Sequence, residues 1–276
     1  MTSGRTGGSA PDVRRASSPP RGRDRVVDRF LADSTPVVAG GRAILLQIAD
    51  PVVAAGVRRH SDFARRPQQR LAHTLMYVYA VMLGSPSDAA IATSFVHRAH
   101  APVTGADDAD RQLWVAATLY DSALRAHEAF GDPVPPELAQ RVLAAYEPLG
   151  VALRVPAGRW PDSVAAFEEY WAGRLAGLQV TDDARAVVRD LLHPRFAPFW
   201  VRAAMPLVRI VTVGMLPDAV RAQYGFAWGP RERRRYARVT AGLRRVRAVV
   251  PGPLLRLPGP LLLRQMRRIA KQYLSH

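Results

Sequence analysis

Residues 70–100 read RLAHTLMYVYAVMLGSPSDAAIATSFVHRAH. Apolar residues recur at spacings of three and four on both sides of Gly84-Ser85-Pro86, the pattern of two amphipathic helices. Glycine commonly ends a helix, and a polar cap followed by proline commonly starts one. The stretch therefore predicts a helical hairpin that turns at Gly84-Ser85-Pro86.

The same helical pattern covers most of the chain, and strict alternation of the kind seen in strands is essentially missing. It runs through Val26–Leu31, Ala43–Ile48, Leu71–Leu83, Ala89–Val96, Leu113–Ala129 and Leu138–Leu149. Helix starts are predicted at Asp50-Pro51, Ser85-Pro86-Ser87, Asp107-Asp108, Pro135-Pro136, Trp160-Pro161-Asp162 and Thr181-Asp182-Asp183, and helix ends at Gly84, Gly131, Gly150 and Gly225. We predict an all-α protein, one globular domain of about ten or more helices.

Composition divides the chain into three parts. Residues 1–22 are rich in Ser, Gly, Pro and Arg, with few large apolar side chains, so we expect a disordered tail. Residues 23–260 form the globular domain. Residues 261–276 are predicted to form a basic amphipathic C-terminal helix.

Charge is concentrated near the C-terminus. The formal net charge is +16, and from Arg231 onward thirteen basic residues face one acid, which places +12 there. In the last helix, basic and apolar side chains are interleaved: Arg264, Arg267, Arg268 and Lys271 beside Leu262, Leu263, Met266 and Ile269. This helix could lie on an anionic membrane surface, bind nucleic acid, or expose an ordinary arginine face. Nucleic-acid binding is the least favoured, because no reading motif accompanies the charge.

Several classes of function can be excluded. The chain has no cysteine, which removes disulfides, thiolate metal sites and cysteine nucleophiles. Phosphate-binding glycine loops, GxSxG, HExxH and paired Glu-x-x-His motifs do not occur. No signal peptide is apparent, and Arg202 and Arg209 argue against a membrane span within residues 196–216. We expect a cytoplasmic protein, soluble or peripheral to a membrane.

Histidine is the remaining residue type that could serve as a ligand or a catalytic group. His73, His97 and His100 fall on the two helices of the predicted hairpin, and the helical spacing places Arg70, His73 and Thr74 on one face. His97 and His100 likewise share a face. The hairpin could bring both faces around a planar ligand, although from spacing alone these histidines could equally be ordinary boundary residues.

Motifs along the chain resemble those of the rubber oxygenase (latex-clearing protein) and MpaB-like oxygenase family. The opening signature is GGRAILLQIADP at residues 40–51. Further matches are Arg70-x-x-x-Thr74, Val96-x-x-x-His100-x-x-Val103-x-Gly105, LWVAAT at residues 113–118, Phe167-x-x-Tyr170, Val180-Thr181, Leu216-Pro217 and Tyr224-Gly225. The resemblance covers roughly residues 38–260, and it rests on the order and spacing of the motifs together.

The resemblance implies that residues 23–260 form an all-helical catalytic domain that uses haem b. His100 would be the proximal iron ligand, with His97 one turn away as a second cofactor-binding residue. On the distal side, Arg70 would polarise dioxygen or meet a propionate, and Thr74 would donate a hydrogen bond. The implied function is oxidation of an apolar, isoprenoid-like or lipid-like substrate with dioxygen.

Two positions depart from the family pattern. His73 stands where the latex-clearing relatives carry a lysine, so it could coordinate iron as sixth ligand or donate a hydrogen bond to oxygen. Ala54 stands near the place of their carboxylate base, and Asp50 is the nearest acid. Polyisoprene cleavage by the same mechanism is therefore not predicted. The alternative hypothesis is a helical protein that binds haem or an apolar ligand without turnover, possibly at a membrane surface.

Overall fold

A computed structural model describes the backbone of residues 24–60, 67–103, 105–195 and 197–274, and their side chains except those of residues 60–71 and 273–274. The predicted N-terminal tail, residues 1–22, lies outside the described part. Among the described residues, all regular elements are helices joined by turns and loops. These are α1 Arg25–Ala32, α2 Thr35–Val38, α3 Gly40–Ile48, α4 Pro51–His60, α5 Pro67–Leu83, α6 Pro86–His100, α7 Ala109–Phe130, α8 Pro136–Ala152, α9 Val164–Ala176, α10 Asp182–Leu192, α11 Phe199–Met215, α12 Asp218–Gln223, α13 Pro230–Val249, α14 Gly252–Leu255 and α15 Pro258–Leu274. The all-α prediction is confirmed.

Local capping explains several helix starts. Ser85 accepts a hydrogen bond from the Asp88 backbone N–H while the Asp88 carboxylate accepts from the Ser85 backbone N–H, a reciprocal capping box at the start of α6. Asp108 caps α7 and Thr181 caps α10 in the simpler way. Helices at these sites begin where the polar-cap pattern predicts them, and the hairpin of α5 and α6 is present.

Two predicted boundaries are wrong. The start expected at Trp160-Pro161-Asp162 moves to Val164, because the Ser163 hydroxyl accepts from the Ala166 backbone N–H. The end expected at Gly150 moves to Ala152, where Arg154 takes the left-handed turn at φ 68°. Gly150 lies inside α8, packed beside Val155.

Helix α7 is the centre of the fold. It packs against α2, α3, α8 and α13, and it contributes to three hydrophobic clusters, of which the two larger contain Tyr120 and Trp114. Tyr120 lies in one cluster with side chains of α5, α8 and α9, whereas Trp114 lies in the other with side chains of α3, α4, α10 and α12. Both side chains are fully buried. These clusters therefore meet along α7.

A buried charge network also depends on α7. The Arg42 guanidinium on α3 donates to the Asp121 carboxylate at 2.5 Å, to the Ser122 hydroxyl at 2.7 Å and to the Met215 carbonyl at 2.8 Å. These contacts join α3, α7 and the end of α11. Burial lowers the pKa of Arg42, and the Asp121 carboxylate opposes this shift.

The C-terminal helix α15 packs on the hairpin of α5 and α6. Met266 and Ala270 are buried, and the Arg267 guanidinium donates two hydrogen bonds to the Asp88 carboxylate at 2.8 and 2.6 Å. Its apolar face therefore contacts protein, while Arg264, Arg268 and Lys271 remain exposed. Membrane contact through those exposed residues stays a prediction.

Within the described helices, none alone combines the length and apolar composition needed to cross a bilayer. A bent pair, Gly40–Ile48 with Pro51–Arg59 at 103°, meets those criteria when its two members are taken together.

Acidification should weaken this fold through His127. The ring stacks on Phe30 with centroids 4.0 Å apart, and burial lowers the pKa of His127 from 6.5 to about 4. The unfolded chain takes up this proton near pH 6.5, whereas the folded chain does so only near pH 4. The contribution to stability is therefore complete above pH 6.5 and is lost as the pH falls towards 4, on the order of 3 kcal/mol in total.

Urea denaturation of wild type and His127→Phe at neutral pH and near pH 5 measures this effect. We expect the midpoint of the wild type to fall further than that of the variant. The exposed His193 provides the matched control, His193→Phe, which should keep the acid sensitivity of the wild type. Identical losses in wild type and His127→Phe would show that His127 is not the responsible group.

Candidate active site

A cavity of about 300 Å³ lies between α4, α5, α6 and α7. Its walls are mainly apolar, formed by Val52, Val53, Val57, Tyr77, Val96, Val103, Val115, Leu119 and Leu153. Its polar side chains are Gln47, His73, Thr74, His100, Arg111 and Gln112. An apolar cavity with a few convergent polar groups is the usual form of a small-molecule site.

His100 enters the cavity from the last turn of α6. Its Nδ1 lies 3.3 Å from the Gln112 amide nitrogen, and the same amide donates to the Ala106 carbonyl. Gln112 therefore ties the imidazole to the loop between α6 and α7. Gly105 in this loop has φ 78°, and a Cβ there would lie 3.2 Å from Val52, so glycine allows the loop to pass close to α4.

His73 and Thr74 enter the same cavity from α5. The hairpin thus brings these two side chains and His100 to one space, as the sequence predicts. Arg70 lies one turn earlier on α5, and its side chain is outside the described part of the structure. Its predicted role stays a prediction.

His97 takes a different position from His100. Its Nε2 lies 3.1 Å from the Ala152 carbonyl at the end of α8, and the side chain is absent from the lining of the cavity. The two histidines are one turn apart on α6, but the structure brings only His100 to the cavity. The cofactor-binding role of His97 remains a prediction.

Two lining residues, Gln112 and Arg111, were missed by the motif analysis. Gln112 shares a face of α7 with Val115 and Leu119 through i, i+3 and i+7 spacing, so a polar residue on an apolar face was the available signal. The Gln112 carbonyl oxygen and the Arg111 Nε are both buried without a hydrogen-bond partner. Buried polar atoms of this kind commonly meet a ligand or an ordered water.

Asp50 serves the fold and lies outside the cavity lining. Its carboxylate accepts from the backbone N–H groups of Val52 and Val53 at 2.9 and 3.2 Å, which caps α4. Arg111 and Arg174 lie 3.6 and 3.3 Å from it. Ala54 is fully buried. The described residues that line the cavity include no carboxylate.

The Tyr77 hydroxyl donates to the Leu149 carbonyl at 3.0 Å, and burial raises the pKa of this phenol. Tyr77 therefore stays neutral and forms part of the wall. Within the described ranges, no three His, Asp or Glu side chains cluster so as to hold a metal ion by themselves. A haem iron needs only one or two axial side chains from the protein, so this finding does not bear on it.

Comparison with known proteins identifies the family. Residues 28–250 match the family described as the catalytic domain of the ER-bound oxygenase mpaB/B′ and rubber oxygenase. The uncharacterized protein Rv2237 of Mycobacterium tuberculosis and the uncharacterized protein Mb2261 of Mycobacterium bovis are each 32% identical over 222 residues, which covers 75% of this chain and 87% of theirs. No solved structure gives a significant match. The chain belongs to the mpaB/rubber oxygenase catalytic-domain family, and its domain is of the oxygenase type.

Proposed function

We propose that this protein is a haem-b-dependent oxygenase that acts with dioxygen on an apolar, isoprenoid-like or lipid-like substrate. The observation that carries the proposal is the meeting of His100 with His73 and Thr74 in one largely apolar cavity. Membership of an oxygenase family supports it independently.

The residues of the cavity suit a haem group. An imidazole is a common axial ligand of haem iron, and the His100 imidazole at the cavity is held by its contact with the Gln112 amide. Arg111 brings to the lining a guanidinium that lies 3.6 Å from Asp50 and 3.2 Å from Asp108. Its Nε makes no hydrogen bond, and its remaining N–H groups could pair with a propionate. Haem bound here would supply the redox chemistry that dioxygen activation requires.

The other side chains of the lining would position the substrate, and the apolar walls would keep water away from it. Thr74 offers a hydroxyl donor and His73 an imidazole, and both enter from the helix that faces α6. Because the described lining contains no carboxylate, His73 is the side chain that we assign to moving a proton at the cavity. The valine and leucine walls favour an apolar substrate over a charged one.

The test compares wild type, His100→Ala and His97→Gln, each expressed with haem precursor and then titrated with hemin. We expect a Soret band in the wild type and its loss in His100→Ala, because the axial ligand is removed. His97→Gln changes a histidine on the same helix that is absent from the described lining, and it tests the role predicted for His97: a retained band would contradict that role and leave His100 as the ligand. Loaded wild type should then consume oxygen with an apolar substrate.

Three outcomes separate the hypotheses. No Soret band in any protein would contradict the haem assignment. A band that survives in His100→Ala would contradict His100 as the axial ligand but not the binding of haem. A band without oxygen consumption would favour the alternative, a helical protein that binds haem without turnover.

A further inference from the structure

The first half of α11 exposes an apolar stripe to solvent. Trp200, Ala203, Ala204, Leu207 and Val208 follow the i, i+3, i+4, i+7, i+8 spacing of one helix face, and all are exposed. Trp200 is 61% exposed, and Phe199 just before it is 83% exposed. In most globular proteins such a stripe faces the core. The second half of α11 behaves in that ordinary way, with Val211, Thr212 and Met215 buried.

A basic cleft lies beside this stripe. A cavity of about 480 Å³, lined by His193, Arg195, Arg202 and Arg209, separates the end of α10 from α11. Arg209 donates to the His193 ring, whereas Arg195 and Arg202 make no ion pair with a carboxylate of the described chain. Residues 191–217 contain three arginines and no acid. The exposed apolar face and the positive charge therefore occupy one segment.

Charge argues against a second copy of this chain as the partner. In a symmetric dimer through this surface, each copy would contribute the same three arginines, Arg195, Arg202 and Arg209, to one contact. The segment offers no acidic residue to compensate, so the contact would be repulsive. A partner with an apolar interior and a negatively charged surface fits both the apolar stripe and the three arginines.

We propose that the α11 surface, defined as Phe199, the exposed stripe and the three arginines of the cleft, docks on an anionic phospholipid membrane. Aromatic side chains favour the boundary between head groups and acyl chains, and arginine pairs with phosphate through two hydrogen bonds. The helix would lie in the plane of the interface, since no single described helix is long and apolar enough to cross. This inference is independent of the haem assignment.

Vesicle flotation tests the proposal on the full-length chain, with phosphatidylcholine vesicles with or without phosphatidylserine. We expect flotation only with the anionic vesicles, and about a tenfold weaker association for Phe199→Ser/Trp200→Ser. The matched control is Val246→Ser/Val249→Ser, which changes exposed apolar residues of α13 and should float as the wild type does. Far-UV circular dichroism should be equal for all three, because every altered side chain is exposed.

Tryptophan emission locates the contact. Trp200 is well exposed, whereas Trp114 and Trp160 are buried, so anionic vesicles should shift the emission of the wild type to shorter wavelength. The shift should disappear in Trp200→Phe while flotation persists.

Other results would overturn the proposal. The first is failure of the wild type to float. The second is flotation that is lost in Arg264→Gln/Arg268→Gln but kept in Phe199→Ser/Trp200→Ser. The third is a wild-type dimer that does not bind vesicles and that Phe199→Ser/Trp200→Ser converts to a monomer. The second would assign docking to α15, and the third would assign the stripe to a second copy.

Discussion

Replacing Asp121 by alanine should destabilise the protein by about 3–5 kcal/mol, because it leaves the buried Arg42 guanidinium without its counter-ion. Arg42 is 2% exposed, and its shortest contact is the one to Asp121. Arginine does not give up its charge in proteins, so the variant must keep an uncompensated buried cation or admit water. A loss of this size is a large share of the stability of an ordinary domain.

Urea denaturation followed by far-UV circular dichroism measures the loss. Asp110→Ala is the matched control on the same helix, because Asp110 pairs with Arg159 at the surface and its side chain is 65% exposed. The control should cost less than about 1 kcal/mol. The double variant Arg42→Met/Asp121→Leu should recover much of the stability, since both charges are removed together. Equal midpoints for Asp121→Ala and Asp110→Ala would contradict the role of the buried pair.

Replacing Trp114 by alanine should cost a similar amount, about 3–5 kcal/mol, for a different reason. Trp114 is fully buried where α7 meets α3, and its indole N–H donates to the Leu46 carbonyl at 3.1 Å. The ring also lies 4.9 Å from the Trp171 ring and 5.4 Å from the Arg174 guanidinium. The truncation removes these contacts and leaves a cavity in the core.

Thermal or urea unfolding of Trp114→Ala, compared with Trp114→Phe, separates the two contributions of this side chain. Trp114→Phe keeps most of the ring packing and loses the hydrogen bond to Leu46, so it should be the milder change. The exposed Trp200 supplies the control, Trp200→Ala, which should hardly alter the midpoint. A loss at Trp114 as small as that at Trp200 would show that the α3–α7 contact does not depend on this residue.

The two stability predictions bear on the candidate site as well. Trp114 and Asp121 lie on α7, which also carries Gln112, the residue that contacts His100. The ring of His100 is thus tied to the most buried helix of the fold. A side chain held in this way can keep one orientation in the cavity, which a cofactor ligand requires.

Much of the site could be predicted from sequence because the relevant contacts are local. His73, Thr74 and His100 belong to one helical hairpin that turns at Gly84-Ser85-Pro86. Their approach to one cavity therefore follows from helix geometry and the short connection between α5 and α6. The position of His97 could not be predicted, because its partner, the Ala152 carbonyl, is 55 residues away. The same holds for Asp50, whose partner Arg174 is 124 residues away.

The helical fold class, most of the predicted helix starts and the family follow from the sequence, because periodicity, caps and ordered motifs are properties of neighbouring residues. Which helix faces are buried follows instead from the packing of the helices. The apolar stripe of α11 and the apolar face of α7 have the same kind of spacing, yet the first faces solvent and the second forms the core. Helical spacing fixes which side chains share a face, but whether that face meets protein or water depends on packing against helices distant in sequence.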